Sequence, residues 1–278
     1  MKKILIGALL LTGCALPVMA CTGISATAKD GGYVQARTIE WGDSYLPSQY
    51  VVIPCGHEMI SYTPKGMNGA KFRARYGVVG LSIVLKDFVV EGLNEAGLSA
   101  GLFYFPHYGN YPVYDAKQNT RTVADLQLVA WMLSQFSTIE EIKAAMQDIR
   151  VVSVDTTGAS STVHWRIGDA NGRQVVLEFV DGVPCFYENE IGVLTNSPGF
   201  PWQMTNLNNY VNLYPGGAEA HQLGGVTIFP FGAGSGFQGI PGDVTPPSRF
   251  VRAAFYKATA PQCATAYDAV LQSFHILN

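Results

Sequence analysis

The sequence predicts an α+β fold. Two antiparallel β-sheets pack face to face with a helical layer outside each, giving a four-layer αββα sandwich. Three observations lead there. Thirty glycines and fifteen prolines among 278 residues cut the chain into many short extended runs. Two pairs of segments with helical periodicity interrupt those runs, so the order reads strands, helix pair, strands, helix pair. Layering is how such an order buries both kinds of apolar face. Finally, 48% of the residues are hydrophobic and 14% are charged, enough for a large core. No internal repeat or low-complexity linker divides the chain, and residues 21–278 read as a single domain.

Residues 1–20 read as a signal peptide. Lys2 and Lys3 supply the positive start, Ile4 to Leu11 an apolar stretch too short to span a bilayer, and Val18 and Ala20 the small residues before a cut. Cleavage after Ala20 predicts a periplasmic or secreted protein with no stable membrane insertion. A second signal competes with it: Leu11-Thr12-Gly13-Cys14 has the form of a lipobox, and processing there leaves Cys21 internal. The first route makes Cys21 the N-terminal residue, its thiol beside an α-amino group. An amine with a pKa of roughly 7.7–8 can take a thiol proton near neutrality. Cys21 also has a plain structural reading, because Cys21, Cys55, Cys185 and Cys263 could form two disulfides in an oxidising compartment.

Residues 22–28 and 33–41 read as strands joined by Lys29-Asp30-Gly31-Gly32, a hairpin turn that brings Arg37 to Trp41 back beside Cys21. Strand-like runs follow at 50–54, 76–85, 88–93 and 98–105, the last two joined by the turn Asn94-Glu95-Ala96-Gly97. Val123, Leu126, Val129, Met132, Leu133 and Phe136 then recur at helical spacing behind a Thr122-x-x-Asp125 start. Ser137-x-x-Glu140 reads as a capping box for a second helix. Strands return at 161–168 and 173–180, and two more lead to Leu194-Thr195-Asn196-Ser197-Pro198. A long loop rich in Gly and Asn, with a short helix near 206–213, precedes a second helix pair over 247–258 and 261–274.

A net charge of −3 without a basic run points away from nucleic acid. The five histidines show no metal-ligand spacing, and there is no Cys-x-x-Cys, so no metal site is expected. Gly234-Ser235-Gly236-Phe237-Gln238-Gly239 matches a dinucleotide pattern, but the Ile240-Pro241-Gly242-Asp243 that follows cannot open the required helix.

Several stretches together resemble the choloylglycine hydrolase family, which includes bile salt hydrolases and penicillin V acylases. They are Cys21-Thr22-Gly23, Arg37-Thr38-Ile39-Glu40-Trp41, Glu91 to Leu98, Leu194 to Pro198, Gly239 to Asp243, and Pro247 to Phe255. The resemblance runs in order from Cys21 to the chain end. It implies an N-terminal nucleophile (Ntn) hydrolase that cleaves linear amide C–N bonds without a cofactor, acting on a small-molecule amide. By it, Cys21 is the nucleophile and Arg37 the arginine beside it. Asn196 lends its side chain to the oxyanion hole, the Asn94 backbone N–H completes that hole, and Arg249 is a second active-site arginine. Glu40 stands where the family commonly has aspartate. Trp41, the export signal and the compact loop after Asn196 resemble the Gram-negative branch. That branch is associated with penicillin V and long-chain N-acyl homoserine lactones, and variably with bile salts. The family's chains usually continue past Asn278, so the strands closing the sandwich at its C-terminus are expected to be missing here. The alternative reading is an exported or lipid-anchored binding protein with the same fold and no catalysis, which Glu40 and the early end favour. Oligomeric state is left open.

Overall fold

The computed structural model describes residues 19–41, 46–154 and 162–278. Of the export segment only Met19 and Ala20 fall within them; the lipobox with Cys14 lies outside. The first two strands, β1 (Met19–Thr27) and β2 (Tyr33–Trp41), form the expected hairpin. Asp30 Oδ1 accepts Gly32 N–H at 2.9 Å and Gly31 turns at φ 84°. Both are conformations that Asp and Gly supply readily.

The chain continues through β3 (Ser48–Ile53), the short hairpin of β4 (Glu58–Ile60) and β5 (Lys71–Arg73), then β6 (Val78–Ile83), β7 (Val89–Asn94) and β8 (Ser99–Tyr104). Next come β9 (Thr122–Ala124), α1 (Leu128–Gln135), α2 (Ile139–Ala145) and β10 (Arg150–Val152). β11 (Val163–Gly168), β12 (Gln174–Val180), β13 (Val183–Glu188) and β14 (Val193–Leu194) follow. The last part holds α3 (Phe200–Asn206), an exposed hairpin of β15 (His221–Leu223) and β16 (Val226–Ile228), then α4 (Pro246–Thr259) and α5 (Ala266–Leu277).

A seven-stranded antiparallel sheet runs β13-β12-β11-β8-β7-β6-β3, and a three-stranded one runs β14-β1-β2. α1 packs on β7 and β8. There Leu128, Val129, Met132 and Leu133, joined by Ile139 and Ile142 of α2, bury themselves against Leu98, Ala100, Trp165 and Leu177. α4 and α5 pack on β1 and β2. Phe250, Ala253 and Ala254 meet Ile24, Val193 and Leu194, and this second core continues between the sheets to Phe103 and Val176. The layers are therefore helix, sheet, sheet, helix, as the sequence predicts. The smaller sheet covers only part of the larger. Tyr50, Val52, Val79 and Leu93, aligned across β3, β6 and β7, stay 90%, 69%, 58% and 53% exposed. Tyr50, Val79 and Leu93 face a groove of about 820 Å³ that β2 borders on its other side.

Local corrections have local causes. Residues 122–124 pair in parallel with β10, and Asp125 opens a single 3-10 turn, so α1 begins only at Leu128. The short helix expected near 206–213 is there as a 3-10 turn at Leu207–Tyr210, but it continues an α-helix that starts earlier, at Phe200–Asn206, where Pro201 stands in the first turn and needs no amide partner. α5 begins at Ala266 rather than near Pro261, because Thr265 Oγ1 accepts Asp268 N–H at 3.2 Å and caps it there. The capping box is one residue later than Ser137-x-x-Glu140. Thr138 Oγ1 accepts Glu141 N–H at 3.2 Å, and Glu141 reaches back to Thr138 N–H at 3.3 Å and Ser137 N–H at 2.8 Å. This register places both Ile139 and Ile142 in the core. Thr138→Ala is therefore expected to cost about 1 kcal/mol in urea denaturation. Ser137→Ala should cost well under half of that, and the reverse order would restore the earlier register.

Candidate active site

Cys21 lies near the start of β1, paired with Ile39, and is 6% exposed. Its backbone N donates to Asn196 Oδ1 at 2.9 Å. Asn196 follows β14, which pairs with β1 through Gly23 and Ile24, so a strand pairing brings the two together. The other end of its amide is also held: Nδ2 donates to Tyr104 O at 2.7 Å. That arrangement assigns the oxygen and nitrogen of Asn196, since donors surround one and a carbonyl faces the other.

Behind Asn196 a buried pair fastens the backbone. His164 Nε2 lies 3.0 Å from Thr195 O, and Nδ1 lies 3.0 Å from Glu178 Oε1, which also accepts Phe200 N–H at 2.8 Å. A carbonyl only accepts, so Nε2 carries a proton. Phe105 stacks on the imidazole at 4.2 Å.

Arg249 completes the group from α4. It donates to Cys21 O, to Thr22 Oγ1 at 2.7 Å and to Asn196 Oδ1 at 2.7 Å, while Nε donates to Val244 O at 2.9 Å. The preceding motif explains its aim. Asp243 accepts Thr245 N–H at 2.9 Å and Ser248 Oγ–H at 2.6 Å, so it closes the turn into α4. The Ser248 and Thr245 hydrogen bonds hold its carboxyl down at about 2. Burial pulls the Arg249 guanidinium below its ordinary value, while Glu40 and Cys21 oppose that shift.

Arg37, two residues before Ile39, lies 7% exposed between the sheets with Cζ 4.1 Å over the Phe103 ring. It and Cys21 line one cavity of about 350 Å³. Its walls are mainly apolar: Ile39, Leu46, Ile83, Val90, Leu102 and Val163, with Tyr104 and Asp125 among the polar exceptions.

The structure thus brings Cys21, Arg37, Asn196 and Arg249 together. It does not bring Asn94. The backbone N–H assigned to the oxyanion hole donates to Leu98 O at 2.9 Å, and the Asn94 side chain donates to Leu133 O at 2.8 Å and Phe136 O at 2.7 Å. Asn94 locks the β7–β8 turn against α1. Glu40 is exposed and pairs with Ala20 across the hairpin rather than with Cys21. Trp41 ends β2, and its side chain lies outside the described ones.

Asp125 and Arg166 escaped the sequence reading as members of this region. Glu91 entered it only as the first residue of the Glu91–Leu98 stretch, and Tyr104 only within Phe103-Tyr104-Phe105, an aromatic run that reads as pocket lining for an apolar acyl group or as core. Alternation in Phe103-Tyr104-Phe105 marks Tyr104 as the residue facing away from its buried neighbours. Arg166, a charge inside the mainly apolar strand β11, was the other available signal.

The linear amide C–N hydrolases of the choloylglycine hydrolase family match residues 21–278. A bile salt hydrolase/transferase from Clostridium perfringens is 32% identical over 262 residues, which is 93% of this chain and 78% of that protein. The crystal structure of a conjugated bile acid hydrolase from the same organism superposes with a TM-score of 0.80 at 28% identity, covering 92% of this chain and 78% of the other. A penicillin V acylase from Agrobacterium tumefaciens shares the fold, with a TM-score of 0.73 at 24% identity over 92% of this chain and 71% of the other.

Asp125 gives this cavity a pH-sensitive wall. Burial raises its carboxyl to about 7, against the opposing hydrogen bonds from Leu126, Val154 and Ser153. The folded value lies above the unfolded one, so its favourable contribution is complete below about pH 4 and is lost as pH rises through about 7. Asp125→Asn removes that dependence. Its stability relative to wild type should improve from pH 4.5 to pH 8 by about 3 kcal/mol in urea titrations. An unchanged difference between the two pH values would mean that Asp125 is not held protonated.

Proposed function

The chain belongs to the choloylglycine hydrolase family and hydrolyses linear amide C–N bonds, and from that premise we propose that Cys21 is the nucleophile, freed as the N-terminal residue by cleavage after Ala20. The observation that carries this reading is the placement of Cys21 on a largely apolar cavity with its backbone held by Asn196 and Arg249. The export route makes the mature protein periplasmic or secreted.

In this mechanism the α-amino group takes the thiol proton while its own N–H stays on Asn196 Oδ1, and the Arg37 charge favours the thiolate. Sulfur attacks the amide carbonyl, and the electron pair of its π bond gathers on oxygen. Asn196 Nδ2 carries two protons. One is on Tyr104 O, and we assign the other to the oxyanion. The ammonium then protonates the leaving nitrogen as the C–N bond breaks, leaving a thioester. Water, deprotonated by the same amine, attacks that carbonyl. The C–S bond breaks and the acid departs.

The apolar cavity suits an amide with a bulky apolar acyl group. Among such donors we place conjugated bile salts first, on the name of the 32% identical relative. Penicillin V and N-acyl homoserine lactones present the same bond beside an apolar acyl group. A hydrolysis panel of glycine- and taurine-conjugated bile salts, penicillin V and N-acyl homoserine lactones tests the reading, on protein whose intact mass starts at Cys21. Failure on every amide would sink it.

Two substitutions give expected outcomes. Cys21→Ala should abolish turnover with circular dichroism unchanged, and residual turnover within about tenfold of wild type would exclude Cys21 as nucleophile. Asn196→Ala should lower kcat by about 10²–10³ with a smaller change in KM. A pure KM effect would move Asn196 from the reacting carbonyl to substrate binding.

A further inference from the structure

Two glycines hollow out a chamber between the sheets. A Cβ on Gly23 would lie 2.6 Å from Phe103 Cζ and 2.8 Å from Arg166 Nη1, and a Cβ on Gly101 would fall on the Glu91 carboxylate. Inside that chamber Glu91 bridges two guanidiniums. Its Oε1 accepts from Arg166 Nη2 at 3.1 Å, and its Oε2 accepts from Arg37 Nη1 at 3.4 Å. Arg166, its side chain 1% exposed, also donates to Ile24 O at 3.0 Å and Ala36 O at 3.3 Å. Arg37 donates further to Leu102 O, to Val90 O at 3.3 Å and to Thr38 O at 3.2 Å. Phe103 lies against both cations, its ring centroid 4.1 Å from Arg37 Cζ and 5.5 Å from Arg166 Cζ.

One carboxylate thus serves two cations, leaving one positive charge in excess. We propose that Arg166 and Glu91 are positioning residues that set the positive field at Cys21. Arg166 draws the carboxylate toward itself and keeps it from neutralising Arg37, the guanidinium that shares the Cys21 cavity. Carbonyls from three strands fix where Arg37 sits, so the carboxylate is left to tune its charge rather than its place. The inference rests on Cys21 as nucleophile. Other charges face the same region: Arg249 from α4, Glu40 from the end of β2, Asp125 across the cavity, and the His164–Glu178 pair beyond Phe103. Substitutions at 91 and 166 leave all of these in place.

The test measures alkylation of Cys21 by iodoacetamide near about pH 7, where a thiol is only partly ionised. Mass spectrometry of the Cys21 peptide provides the readout, because Cys55, Cys185 and Cys263 are also free thiols. Arg166→Met hands the whole carboxylate to Arg37 and should slow alkylation three- to tenfold; Glu91→Gln should quicken it by a similar factor, on the order expected for a charge acting at second remove. kcat should follow each change with KM little altered, and Arg166→Lys should restore the wild-type rate. Opposite signs are what a field predicts and a purely structural role does not. Two unchanged rates, or two slowed ones, would overturn the proposal. Should Arg166→Met fail to fold, Glu91→Gln decides alone: faster alkylation supports the field, and an unchanged or slower rate refutes it. Wild-type protein that neither alkylates at Cys21 nor hydrolyses any amide fails on the nucleophile itself and takes this inference with it. Active wild-type protein with both variants unchanged fails on the field alone.

Discussion

The guanidinium of Arg249 is the fastening on which the rest of the site depends. It gathers the Cys21 carbonyl, the Thr22 hydroxyl and the Asn196 side chain, three groups from two segments far apart in the chain. Charge-assisted donors in a buried setting are strong, and they are costly to leave unpaired. α4 can present such a donor only because its entry is closed by Asp243, Thr245 and Ser248, with Arg252 donating to Pro241 O at 2.8 Å behind them. The helix is thereby an anchor for the first strand as much as a cover for the smaller sheet.

Contiguous motifs were the legible part. The hairpin that returns Arg37 to Cys21, the order of strands and helix pairs, and the turn chemistry before α4 are encoded within a few residues of where they act, through turn-forming Asp and Gly and through periodicity. What lay beyond reach was set by contacts between distant segments. Asn94 sits in a motif that reads as catalytic, yet the carbonyls of Leu133 and Phe136 claim its side chain, and no local pattern announces that α1 ends beside it. Tyr104 shows the converse. It lies in an aromatic run that reads as pocket lining or core, and only the spatial arrival of Asn196 makes its carbonyl part of the site. Asp125 reads as the start of a helix, but the parallel pairing of residues 122–124 with β10 turns it instead into the wall of the Cys21 cavity.

His164 illustrates how a residue can be structural and still matter to chemistry. Its spacing gives no metal-ligand signal, and its burial against Phe105 and Glu178 is that of a core histidine. The same ring grips Thr195 O, so a packing residue fixes the peptide that carries Asn196. The site therefore rests on two unlike supports, a cation from the outer helix and an aromatic acid–base pair from the larger sheet. Neither touches the cavity in which a substrate would lie.

The chamber cut by Gly23 and Gly101 has a consequence for how this protein can change. Glu91 occupies the volume that a methyl group on residue 101 would need, and the Phe103 ring and Arg166 together occupy that of a methyl group on residue 23. Side chains larger than hydrogen are therefore admissible at 101 only in a chain that has already given up or moved the carboxylate, and at 23 only in one that has moved both the guanidinium and the Phe103 ring. Positions 23, 91, 101, 103 and 166 form one linked choice rather than five separate ones. A lineage that abandons the buried charges is then free to fill the space at 101 with carbon, and that at 23 once Phe103 has also shrunk or shifted. The return path is closed until the methyl groups go first.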